Sequence, residues 1–129
     1  MLLDIGASFL PMFDKMLSSC NELLLITEPY PATINRTKVL LEELAERGFG
    51  SNKILSVVIV NRVRADVQLS VTQVQEMLGQ PVAQVIPPAP ELAFQAGLRS
   101  IPLSQVQPDG LVTQQYGRLA EAVMQRIQK

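Results

Sequence analysis

Ile54-Leu55-Ser56-Val57-Val58-Ile59-Val60-Asn61-Arg62 is the stretch whose reading decides the fold. Its first seven residues are apolar but for Ser56, whereas a strand with one wet face would alternate polar and apolar side chains. Such a run belongs to a strand covered on both faces, the usual state of strands in a parallel sheet. Working outward, Leu23-Leu24-Leu25-Ile26 and Val82-Ala83-Gln84-Val85-Ile86 read as two further strands. Met1-Leu2-Leu3 is expected to be a fourth.

Between these runs the spacing turns helical. Phe9, Phe13, Met16 and Leu17 form one apolar stripe, and Ile34, Leu41 and Leu44 mark another ahead of Gly48. In Leu69-Ser70-Val71-Thr72-Gln73-Val74, Ser70 can accept from the Gln73 N–H, Gln73 can reach back to Ser70, and Leu69 can staple onto Val74. Gly79 then offers a left-handed terminus and Pro81 blocks continuation, so a helix is predicted over 71–78. After Pro87, Pro88 and Pro90 a short helix over 91–96 is expected to stop at Gly97. Pro108 is expected to open a last helix docked through Val112, Tyr116, Leu119, Val123 and Ile127.

The order β-α-β-α-β-α-β-α-α implies an α/β fold, a mainly parallel sheet with helices on both faces, in a single domain over residues 1–129. Ligands of such sheets bind beyond the carboxyl ends of the strands. The residues of interest are therefore Asp4-Ile5-Gly6, Thr27-Glu28-Pro29, Asn61-Arg62 and Pro87-Pro88-Ala89.

Composition narrows the chemistry. With 47% hydrophobic and 18% charged residues the chain is an ordinary globular one, and a net charge of −1 gives no positive field to hold a phosphate backbone, so direct nucleic-acid binding is not expected. Cys20 is the only cysteine and histidine is absent, which removes Ser-His-Asp and Cys-His catalysis, cysteine-based zinc sites and any intrachain disulfide. Cys20 reads as a small hydrophobe at a helix end. No apolar run approaches the ~18 residues of a transmembrane segment, and Met1 to Phe13 carries Asp4 and no basic n-region, so a cytoplasmic protein is expected.

The strand-end residues admit two readings each. Asp4 and Gly6 follow an apolar run, where a nucleoside triphosphatase keeps a magnesium-facing acid; Asp and Gly also end strands simply to turn the chain. The Asn61 amide offers a donor and an acceptor suited to a purine edge, or it turns the chain. Arg62 can stack on a base or stay solvated. Glu28 has no second carboxylate in an interpretable relation to it, so paired acid/base work is unsupported.

Taken in order, Asp4-Ile5-Gly6, Leu23 to Pro29, Val57 to Arg62, Leu78-Gly79-Gln80-Pro81-Val82 and Ile86-Pro87-Pro88 resemble the C-terminal half of the deviant-Walker ATPases of the MinD/ParA group, most closely the branch related to the pilus-assembly protein CpaE. The resemblance implies a partial P-loop NTPase (Rossmann-like) fold with ATP or ADP and Mg as cofactors. It matches Asp4 to the Walker B aspartate facing Mg indirectly, and Gly6 to the switch II glycine. It further matches Asn61 to the adenine-reading asparagine with Arg62 beside it, and Pro87-Pro88 to the other wall of the base pocket. The family's phosphate loop has no counterpart here, because no Gly is followed by Lys and no Lys by Ser or Thr. The resemblance thus implies a truncated ATPase domain that does not hydrolyse ATP alone, and a sheet edge left to be covered in a homo-oligomer. Two other readings stand beside it: a non-catalytic, self-associating interaction module on the same scaffold, and an unrelated flavodoxin-like binding domain.

Overall fold

The computed structural model describes residues 1–6, 11–59 and 68–129. Helix α1 (Phe13–Ser18) leads into strand β1 (Leu23–Thr27), helix α2 (Pro31–Glu46), a 3-10 turn at Ser51–Lys53 and strand β2 (Ile54–Ile59). Helix α3 (Val71–Leu78), strand β3 (Val82–Ile86) and helices α4 (Pro90–Arg99), α5 (Leu103–Val106) and α6 (Leu111–Ile127) follow.

The strands form a parallel sheet in the order β1-β2-β3. Leu23 sits opposite Ile54 and Thr27 opposite Val58, while Ile59 sits opposite Ile86. The register between β2 and β3 slips at Ser56/Val57, which face Val82 and Gln84 and leave Ala83 as the extra residue. Such a bulge resets the alternation of faces. Val82 and Val85 consequently both pack on the α2–α3 side, against Ile34, Val74 and Leu78. Gln84 points the other way and donates to Gln115 of α6.

Two apolar clusters hold α1, α2 and α3 on one face. Phe13, Leu17, Leu25, Leu44, Phe49 and Ile54 form the first, with Ile5 and Cys20 against it; Ile34, Val74 and Leu78 form the second, with Leu69 beside them. Thr27 and Thr37 are buried between β1 and α2 and share a hydrogen bond of 2.9 Å, and Thr37 also donates to the Thr33 carbonyl at 2.8 Å, so neither hydroxyl is left bare. On the other face α6 packs on β3. Its last turn is pinned by Arg126, which donates to Glu22 at 2.8 Å and to the Asn52 carbonyl, tying α6 to the chain just before β1 and β2.

Local signals set several boundaries. The Ser70/Gln73 capping box is complete, with Ser70 Oγ accepting from Gln73 N at 3.2 Å and Gln73 Oε1 accepting from Ser70 N at 2.9 Å. Gly79 ends α3 at φ 69. Pro31 starts α2, and Cys20 is half-buried with its thiol donating to the Met16 carbonyl.

Five expectations are corrected, the last in part. Met1-Leu2-Leu3 is not a strand: the segment lies exposed, because a lone segment has no ladder partner for its N–H and C=O groups. Covering of β1 on both faces is likewise incomplete, since Ile26 is 59% exposed on the side that α6 leaves open. Gly97 does not stop α4, which runs on to Arg99 and closes at Ser100 in the left-handed region (φ 51), two residues before Pro102. Pro108 does not open α6; it lies in a turn in which the Gly110 N–H donates to the Gln107 carbonyl at 3.1 Å, and the helix begins at Leu111. Of the expected docking stripe on α6, Val112, Leu119 and Val123 are half-buried, while Tyr116 and Ile127 face solvent. Val60 and Phe9 lie outside the described residues. Among those described, no helix is long and apolar enough to cross a membrane.

Ile34 is fully buried at the centre of the α2–α3 contact. Ile34→Ala is expected to cost about 2–5 kcal/mol, and Ser70→Ala, which removes the cap, about 1 kcal/mol. Urea unfolding of both variants checks the order of the two effects.

Candidate functional site

Because the three strands are parallel and nearly in register, their carboxyl ends lie along one rim: Thr27 at the end of β1, Ile59 at the end of β2 and Ile86 at the end of β3. Beyond β3, Pro87, Pro88 and Ala89 cannot extend the ladder freely and turn the chain into α4, which Pro90 starts. Against that turn lies an open cavity of about 620 Å³. Pro87, Pro88, Ala89, Leu92, Leu111 and Val112 give it apolar walls; Glu91, Gln95 and Gln107 supply the polar groups. Its lining is nearly as polar as it is apolar, so it offers a small ligand both packing surface and hydrogen-bonding groups. The Glu91 carboxylate on the same wall is unfavourable for a phosphate.

Pro87 and Pro88, which the family resemblance matches to a base-pocket wall, line this cavity. Asn61 and Arg62, the expected base-reading pair, lie outside the described residues. Glu91, Gln95 and Gln107 were not singled out in the sequence. Glu91 and Gln95 are one helical turn apart on α4, a spacing that could have drawn attention to them, whereas Gln107 arrives from the turn after α5, a four-residue helix with no periodicity to read.

The geometry at Asp4 is that of a turn. Gly6 takes φ 65 and its N–H donates to Asp4 Oδ1 at 3.1 Å, so one carboxylate oxygen is engaged within its own loop while the side chain stays exposed. Ile5 between them anchors the loop on the Phe13–Leu25 cluster, next to β1 and at the opposite side of the sheet from β3. Among the described residues no group of three or more acidic or cysteine side chains is placed to hold a metal ion. The cavity and the Asp4 loop thus lie at opposite sides of the sheet.

A parallel sheet with helices on both faces and a cavity at the strand rim defines an α/β fold whose ligands generally bind at that rim. The comparisons narrow it. The MinD cell-division ATPase of Pyrococcus furiosus superposes with a TM-score of 0.70 and 24% identity over 83% of this chain and 44% of its own. A ParA-family ATPase from Chlorobium tepidum TLS gives 0.73 and 18% over 84% and 44%. The septum site-determining protein MinD of Pyrococcus horikoshii OT3, complexed with Mg-ADP, gives 0.67 and 27% over 83% and 42%. No family model and no curated protein matches the sequence. The chain has the fold of the MinD/ParA ATPases and spans less than half the length of those solved proteins, a coverage consistent with the C-terminal portion of such an ATPase.

Asp4→Ala removes only an exposed side-chain bond within a turn, so it is expected to change stability by under about 0.5 kcal/mol. Thermal and urea unfolding check this, and a larger loss would show that the Asp4 loop supports the Phe13–Leu25 cluster.

Proposed function

We propose that this chain is the adenine-reading and Walker B-bearing portion of a MinD/ParA-type ATPase domain, forming one domain over residues 1–129 and unable to hydrolyse ATP by itself. The observation that carries the reading is the cavity against Pro87-Pro88 at the rim of a sheet with that ATPase fold. The Mg-ADP held by the Pyrococcus horikoshii relative supports an adenine nucleotide as the ligand class.

In this reading the Asn61 amide pairs with the adenine edge, Arg62 stacks beside it, and Pro87 and Pro88 form the opposing apolar wall. Gln95 and Gln107 add donors and acceptors at the cavity's polar side. Asp4 would orient magnesium through water only once a phosphate-binding segment is alongside, with Gly6 giving close backbone approach. Bound ATP and Mg would supply the phosphoryl-transfer chemistry. The residues here position the base, but no Gly-Lys or Lys-Ser/Thr pair exists in this sequence to cradle the phosphates. β1 has β2 as its only described neighbour, so its other edge is where a phosphate-loop strand would pair. The setting is cytoplasmic.

The second reading, a non-catalytic self-associating module, is favoured by apolar side chains left open to solvent, notably Ile26, Phe94 and Leu98. Calorimetric titration with Mg-ADP separates the two. Weak, measurable binding that Asn61→Ala lowers at least about tenfold is expected, the size of one lost bidentate polar contact. Silence at millimolar ADP, or equal binding by Asn61→Ala, would leave the interaction module.

A further inference from the structure

Three polar side chains line the cavity, and one of them is held in place. Glu91 and Gln95 are carried by α4, while Gln107 comes from the turn between α5 and α6. Among the described residues that line the cavity there is no Lys or Arg, and the Glu91 carboxylate only accepts hydrogen bonds. A ligand that donates a hydrogen bond and carries no negative charge suits these groups.

The backbone of Gln107 is fixed by three hydrogen bonds. Its N–H donates to the Leu103 carbonyl at 3.4 Å, and its carbonyl accepts from the Gly110 N–H at 3.1 Å and from the Thr113 hydroxyl at 2.7 Å. Its side chain lies against Gly110. A Cβ at Gly110 would stand 2.8 Å from Gln107 Cδ and 2.9 Å from its Cγ and Oε1, the three nearest atoms. Gly110 itself is buried with φ −71 and ψ 153, a conformation open to any residue, so the backbone does not require glycine there. The missing Cβ instead leaves the space that the Gln107 side chain fills. The Gln107 carboxamide has no hydrogen-bond partner among the described residues, so both its oxygen and its nitrogen are available to a ligand.

A carboxamide pairs with two adjacent ring groups when one donates and the other accepts, as the amino group and N7 of adenine do. A 6-oxopurine presents two acceptors along that edge. Whichever way the amide is turned, its oxygen then faces another acceptor. We propose that Gln107, positioned by Gly110, is the specificity-determining residue of this cavity and selects 6-aminopurines over 6-oxopurines. The inference rests on the base-binding reading of the cavity. Gly110 touches no ligand and acts only through Gln107.

Calorimetric titration of the whole chain with adenosine and with inosine tests this, because the two differ at the 6-position and neither carries a phosphate. The wild-type chain is expected to bind adenosine at least about tenfold tighter than inosine. Gln107→Ala should bring the two within about threefold. Gly110→Ala, whose methyl group displaces the amide, should do the same with an unchanged circular dichroism spectrum. The double variant should be no less selective than either single one, since both remove the same contact. Adenosine binding with no preference over inosine, or with a preference that survives Gln107→Ala, would overturn the inference and leave the base-binding reading standing. Wild-type selectivity in a folded Gly110→Ala variant would overturn the positioning role. Absence of binding by both nucleosides would remove the base-binding reading and this inference with it.

Discussion

The parallel pairing of β2 with a strand on each side is the constraint on which the rest of the structure depends. It aligns Thr27, Ile59 and Ile86 at one rim, and it obliges the connections to return across the faces of the sheet, where α2 and α3 bury one side. The cost falls on β1, which has one described neighbour and leaves Ile26 open to water. Arg126 limits that cost at the other end of the strand: by reaching Glu22 and the Asn52 carbonyl it draws α6 over the starts of β1 and β2.

The elements legible in the sequence are those whose signal is local. Apolar runs gave the three strands within a residue, and Ser70, Gln73, Leu69 and Gly79 gave both ends of α3 because every partner in that motif lies within ten positions. Elements governed by distant partners were not legible. Met1-Leu2-Leu3 has the composition of a strand, but a strand exists only where a ladder partner is available. Gly97 has the chemistry of a helix stop, yet Leu98 and Arg99 continue the helix and Ser100 takes the left-handed turn instead.

The candidate site divides in the same way. Pro87 and Pro88 could be read from the sequence because they end a strand, and the structure puts a cavity against them. Gln95 and Gln107 come from two separate elements, brought together by the α4–α5 turn, and no spacing rule links them. Asp4 was open to a turn or a metal-facing reading, and the bond it accepts from the Gly6 N–H is that of the turn. This asymmetry has a chemical meaning. The cavity at β3 carries Glu91 on its wall, while the described residues near Asp4 include no group of three or more acidic or cysteine side chains placed to hold a metal.

In the proposed reading, any nucleotide affinity resides in the base and none in the phosphates. Competition binding of adenosine against Mg-ATP measures this directly. Affinities equal within about threefold are expected, because an absent anion cradle gives the phosphates no interaction energy to add. ATP binding more than about tenfold tighter than adenosine would show a phosphate site in this chain and contradict the claim.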